Sequence, residues 1–156
     1  MSGFSAEWLK LREPYDLRAR NRAVLDAVFD LLNGKPSVAI VDLACGTGST
    51  FRALAPRIKA RQDWRLVDND PGLLACVPLS SPPGINVTAV QADLTCDLEA
   101  ALDGAVDLVT TSALLDLVSG DWLNRLAVEA ALRLLPVYAA LSYDGRIEFA
   151  PSDPLD

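Results

Sequence analysis

Five short apolar runs, rich in β-branched residues, alternate along this chain with helical patterns, and that alternation restricts the fold more than any other feature. The runs are "SVAIVDL" (37–43), "DWRLVDND" (63–70), "INVTAVQAD" (85–93), "AVDLVTTS" (105–112) and "PVYAALSYD" (136–144). The first stays apolar on both faces almost to its end, as a strand in the middle of a parallel sheet does. Between the runs, "STFRALA" (49–55) and "PGLLACV" (71–77) read as short helices, the first ended by Pro56, and "SSPPG" (80–84) as a loop. "DWLNRLAVEAALRLL" (121–135) places Trp122, Leu123, Leu126, Ala127, Ala130 and Leu134 on one helical face. Upstream, the spacing predicts a helix from Pro14 to Asn33, with Pro14 in its first turn and Asn33-Gly34 as its stop. Downstream, Asp144-Gly145 favours a tight turn that returns "RIEFA" (146–150) beside the fifth strand. Strand and helix in repetition give an α/β fold: an open, mostly parallel sheet with helices on both faces and right-handed crossovers.

At 156 residues, half of them apolar, the chain suffices for one domain with a substantial core. A net charge of −7 argues against a nucleic-acid partner, because phosphate binding depends on Lys and Arg. The chain has no histidine, the commonest metal ligand and the commonest base near neutral pH. Three scattered cysteines, Cys45, Cys76 and Cys96, form no Cys-x-x-Cys pair, so the sequence offers no metal site and reads as a reduced, cytoplasmic protein. No run is long enough to span a membrane and the N-terminus does not read as a signal peptide, so no membrane partner is expected.

Ligands of open parallel sheets bind beyond the carboxyl ends of the strands, and polar groups stand at four of those ends. Asp42, Ala44, Cys45, Gly46, Thr47 and Gly48 follow the first strand. Asp68, Asn69 and Asp70 follow the second, Asp93 and Leu94 the third, and Thr110, Thr111 and Ser112 the fourth. Each alone is also a plausible cap or turn residue. A dinucleotide loop would place a third glycine where Phe51 stands, and no Gly-Lys-Ser/Thr follows, so a ligand without phosphates is expected.

"VDLACGTG" (41–48) resembles motif I of the class I S-adenosylmethionine-dependent methyltransferases, with Asp42 as its acid and Gly46 and Gly48 as its second and third small residues. Ala44 replaces the usual first glycine, a mild departure provided its φ is negative. The resemblance, which covers roughly residues 15–143, implies a Rossmann-like sheet in the order 3-2-1-4-5. It implies S-adenosylmethionine as cofactor, held by Asp42, Ala44, Cys45, Gly46, Thr47, Gly48, Asp68, Asn69, Asp93, Leu94 and Ser112. In it, Asp68 meets the ribose hydroxyls and Asp93 lies near the adenine amine, while Thr111, Ser112 and Ala113 line the methyl-transfer mouth. Asp42 either reaches the amino-acid end of the cofactor or holds the glycine loop through backbone N–H groups. Such folds often cover the cofactor with an N-terminal helix, so Arg18 or Arg20 either meets the cofactor carboxylate or lies on a solvated face. Asp116 either activates an acceptor or is an exposed residue, and no catalytic residue is assigned.

The expected layout is one domain: residues 1–35 as a helical cover and 36–156 as a core truncated relative to the family. Without the family's last two strands, run 136–144 would be an apolar edge, which invites a homodimer through strand pairing. The function expected is in-line methyl transfer to a small-molecule acceptor. The alternatives are a non-catalytic cofactor-binding module or a fragment, and less readily a nicotinamide-binding domain.

Overall fold

A computed structural model describes residues 4–77 and 82–141. The parallel strands β1 (Ser37–Leu43), β2 (Arg61–Asp68), β3 (Ile85–Gln91), β4 (Leu108–Ser112) and β5 (Val137–Ala140) form one sheet in the order β3-β2-β1-β4-β5. The expected order and class are therefore observed. The hairpin expected over 144–150 lies outside the described residues.

The N-terminal helix differs from expectation. Instead of one helix from Pro14 there are two, α1 (Ala6–Ala19) and α2 (Arg22–Leu32). Ser5 caps α1 through the Trp8 N–H, and Asn21 caps α2 through the Val24 N–H, so two capping side chains define two starts. Arg20 and Asn21 are extended between them. Pro14 sits inside α1, where it withdraws one helical N–H. The predicted stop is found: α2 ends at Leu32 and Gly34 takes φ +79°.

Two apolar clusters lie on the two faces of the sheet. Val38 and Ile40 of β1, Trp64 and Leu66 of β2 and Leu108 of β4 face Leu25, Val28 and Leu32 of α2 and Phe51 and Leu54 of α3 (Ser49–Leu54). Val41, Leu43, Val67 and Val109 face the other way, against Leu98 and Ala101 of α5 (Leu98–Ala101) and Trp122 and Leu126 of α6 (Gly120–Leu132). Pro56 lies in a 3-10 turn (Ala55–Arg57) that follows α3. On α6, Trp122, Leu126 and Ala130 are buried as their spacing predicted, but Ala127 and Leu134 are exposed. The helix ends at Leu132, and Leu134 takes φ +54°, which carries it off the helical face.

Along the α2–α3 face, the two-residue strand period continues Ile40 to Asp42, Leu66 to Asp68, and Leu108 to Thr110 and Ser112. The face therefore changes from apolar to polar at one level, the carboxyl ends of the strands. That change positions the site.

Leu66 is 0 % exposed, so Leu66→Ala is expected to cost about 2–5 kcal/mol in urea unfolding. Leu132→Ala, on a side chain 75 % exposed, is expected to stay within about 0.5 kcal/mol of the parent.

Candidate functional site

A cavity of about 670 Å³ opens at the carboxyl ends of the strands. Seven of the residues expected to hold the cofactor line it, Ala44, Gly46, Asp68, Asn69, Asp93, Leu94 and Ser112, together with Ala113 of the expected transfer mouth. Cys45 and Thr47 line a smaller recess of about 60 Å³, whose walls include Ala44, Gly46 and Ser112 as well. Asp42 and Gly48 are buried and line neither.

The glycine loop makes a sharp exit from β1. Gly48 N–H donates to the Cys45 carbonyl at 2.9 Å, and Gly46 and Gly48 have φ of +56° and +86°. Ala44 also has a positive φ, +52°, so its replacement of glycine is not the mild departure anticipated: an L side chain in this region carries about 1–2 kcal/mol of strain. Ala113, just after β4 and also in the cavity wall, shares the same φ. Backbone strain thus gathers where the chain turns around the cavity.

The loop is tied down by Asp68. Its Oδ2 accepts the Gly46 N–H at 2.8 Å and its Oδ1 accepts the Asp70 N–H at 3.0 Å. Of the alternatives for Asp42, holding the glycine loop is therefore corrected: the second-strand acid does it. Asp70 caps α4 (Pro71–Leu74) through the Gly72 and Leu73 N–H groups. At the end of β3, Asp93 accepts from the Thr95 side chain and N–H at 2.6 and 2.9 Å, which hold its carboxyl below the usual range.

Asp42 is 1 % exposed. Its Oδ1 accepts from Thr110 Oγ1 at 2.7 Å, while its Oδ2 has no hydrogen-bond partner. Burial pushes its carboxyl up to about 7, against the Thr110 hydrogen bond and the Arg20 charge, which lower it. Burial, with Asp42 and Asp68 nearby, also pushes the Cys45 thiol up, so Cys45 stays protonated and is no ready nucleophile.

Arg20 and Arg18 part company. Arg18 is exposed and stacks on Tyr15 at 4.6 Å. Arg20, at the junction of α1 and α2, is 5 % exposed, which corrects the solvated alternative for it. Its Nη2 donates to Ser112 Oγ at 3.0 Å and Thr50 Oγ1 at 3.3 Å, and its Nη1 to Tyr138 Oη at 3.2 Å. Asp116 is exposed and lies outside the cavity wall.

Phe4, Leu9 and Arg12 of the N-terminal segment form one side of the cavity, and Leu114, Leu117, Val118 and Trp122 another. None of these was singled out as a site residue in the sequence, because helical spacing does not say where α1 docks. Two contacts seat it. The bidentate Glu13–Arg52 pair (2.6 and 2.7 Å) bridges α1 and α3, and Arg52 also donates to the Thr47 carbonyl. A Cβ on Gly46 would come within 3.3 Å of Leu9 Cδ1, so a side chain there would push against α1.

Ala44→Gly is expected to stabilise the protein by up to about 1 kcal/mol in thermal or urea unfolding. A second expectation concerns pH. Between the ordinary 3.8 and about 7 the folded chain keeps a proton on Asp42 that the unfolded chain has lost. This group's contribution is thus most favourable below 3.8 and is lost as pH rises through about 7. The stability of Asp42→Asn relative to the parent should therefore rise from pH 5 to pH 8, read as the difference in Tm. A flat difference would contradict the assignment.

A family model described as "Methyltransferase domain" matches residues 40–136. No curated protein matches the chain. Among solved structures, the plantazolicin methyltransferase BpumL in complex with SAH is similar at 15% identity, over 80% of this chain and 49% of that one, with a TM-score of 0.53. The cyclopropane synthase MmaA2 from Mycobacterium tuberculosis is similar at 15% identity, over 87% and 42%, with a TM-score of 0.54. The N-terminal domain of EvdMO1 with SAH bound is similar at 21% identity, over 76% and 49%, also at 0.54. At these identities the likeness is one of fold, and the chain spans less than half the length of each of the three.

Proposed function

Because the chain belongs to the methyltransferase domain family, we propose that it binds S-adenosylmethionine in the cavity at the strand ends and supports methyl transfer to a small-molecule acceptor. The observation that carries this reading is the convergence of Gly46, Asp68, Asp93, Leu94 and Ser112, from four strand ends, on one cavity wall.

The donor set suits the ligand. S-adenosylmethionine carries a sulfonium, an ammonium, a carboxylate, a diol and a purine, and no phosphate. The wall offers carboxylates and an open glycine backbone, with Leu94 and Leu114 as apolar surfaces for a purine. When bound, the cofactor supplies an electrophilic methyl group for in-line transfer.

The chain's own residues bind and orient. Asp68 accepts the Gly46 N–H on Oδ2 and the Asp70 N–H on Oδ1, and keeps further lone pairs for the ribose hydroxyls. Asp93, fixed by Thr95, and Leu94 face the adenine. Asn69 and Gly46 line the path between them, and Ala44, Cys45, Thr47 and Gly48 shape the loop around the amino-acid end. Arg20 directs Ser112 through its hydrogen bond. Leu9 and Phe4 of the N-terminal cover, with Leu114 and Leu117 opposite, exclude water from the transfer mouth. Catalysis then rests on alignment and water exclusion rather than on a dedicated base.

Titration calorimetry with S-adenosylmethionine tests the reading, with a methyl-transfer assay on a small-molecule panel beside it. Binding to the parent is expected. Asp68→Ala combined with Gly46→Val should abolish it while circular dichroism shows a folded chain. Undiminished affinity in that variant would mean that the pocket is wrongly placed. Binding without methyl transfer would favour a non-catalytic module, and response to NAD alone would overturn the cofactor.

A further inference from the structure

The cavity at the strand ends has two kinds of wall. Gly46, Asp68, Asn69 and Asp93 bring polar groups from the ends of β1, β2 and β3. Phe4, which precedes α1, and Leu9 of α1 supply apolar surface, as do Leu117 and Val118 between β4 and α6. Val118 rests on the apolar cluster beneath it, whereas Leu117 is outside that cluster and 61 % exposed. Phe4 stacks on Trp8 at 5.1 Å, yet remains 42 % exposed. Two large apolar side chains, from distant parts of the chain, therefore meet at one cavity with their surfaces uncovered. Uncovered apolar surface inside a concave site marks a place that a ligand covers.

The charges on the wall narrow the ligand. Arg12 is engaged by Asp16, through Nη2 at 3.0 Å and Nε at 2.7 Å, and lies over the Trp8 ring. Arg125 donates to both oxygens of Glu99, at 3.0 and 2.7 Å, and to the Thr95 carbonyl. Each cation of the wall thus carries its own counter-ion. Of the wall's three carboxylates, Asp68 accepts backbone N–H groups and Asp93 accepts from Thr95. Asp121, exposed in the first turn of α6, has no hydrogen-bond or ion-pair partner among the described residues. The N-terminus of α6 favours negative charge at that position. An anion entering between these walls would meet an unbalanced carboxylate, with no unengaged cation to offset the repulsion.

We propose that Phe4, Leu9, Leu117 and Val118 form the acceptor subsite, and that Asp121 is its specificity-determining residue. The acceptor class is then an apolar small molecule, aromatic or aliphatic, that carries no negative charge. Its apolar body covers Phe4 and Leu117, while Asp121 turns away carboxylates, sulfonates and phosphates of the same shape. Arg12 and Arg125 do not rescue such anions, because Asp16 and Glu99 already balance them. This inference rests on the cofactor reading above, which assigns the polar wall to S-adenosylmethionine.

N-phenyl-1-naphthylamine and 8-anilinonaphthalene-1-sulfonate share one apolar body and differ by a sulfonate, and both brighten where water is excluded. On protein saturated with S-adenosylhomocysteine, the neutral probe should bind at least about tenfold more tightly than the sulfonate. Asp121→Lys should bring the two affinities within about threefold of each other. Leu117→Glu should weaken the neutral probe at least about fivefold, with circular dichroism checking the fold of both variants. Failure of the neutral probe to bind, equal affinity for the two probes, or a preference that Asp121→Lys leaves intact would overturn the proposal. So would neutral-probe binding untouched by Leu117→Glu, or faster methyl transfer to the carboxylated member of a matched acceptor pair. Displacement of the neutral probe by S-adenosylhomocysteine would give the apolar walls to the cofactor and overturn it as well. In all these cases the cofactor reading stands. Absence of binding heat with both S-adenosylmethionine and S-adenosylhomocysteine would overturn both.

Discussion

The two oxygens of Asp68 each take a backbone N–H from a different turn, Gly46 in the loop after β1 and Asp70 in the turn after β2. Those turns flank the crevice between two neighbouring parallel strands. Without a common acceptor, each would leave a polar group short of a partner at the edge of an apolar core. With it, the glycine loop takes one course, and α3 and α4 begin from fixed points. Thr110 performs a related task on the other side of β1, tying β4 to Asp42 at 2.7 Å. The cavity is thus framed by side-chain bonds between strand ends rather than by the loops alone.

The cover over the site is held differently. No residue of α1 is buried, and its position depends on the Glu13–Arg52 pair, the Arg52 bond to the Thr47 carbonyl, the Leu9 approach to Gly46 and the anchoring of Arg20. Partly exposed ion pairs contribute little on their own, so α1 is held lightly. Arg20 is the exception, because it is deep in the structure and links α1 and α2 to β4, β5 and α3 through three hydroxyls.

The charge pattern of the site follows from the same geometry. Asp42 and Asp68 lie on neighbouring strands and on the same face. Asp68 has a backbone donor on each oxygen, whereas Asp42 has a single hydroxyl donor and no water contact to speak of. Two carboxyls of the same residue type therefore sit in different electrostatic settings a short distance apart. At Asp42 burial dominates, and its one hydroxyl donor offsets that burial only in part.

How much of this was legible in the chain divides along the range of the interactions. The continuous apolar run of "SVAIVDL" and the alternation of strand and helix fixed the sheet, because a central parallel strand is covered on both faces and parallel neighbours need crossovers. The motif placed Gly46, Asp68, Asp93 and Ser112 at one level, since strands in register bring their ends together. The sequence did not determine that Pro14 would lie mid-helix, that Ala44 would take a positive φ, or that Arg20 rather than Arg18 would turn inward. Nor did it show which acid would hold the glycine loop. Each of these depends on contacts between residues distant in sequence, and the strength of such a contact is set by the burial and donors that only the folded chain assembles.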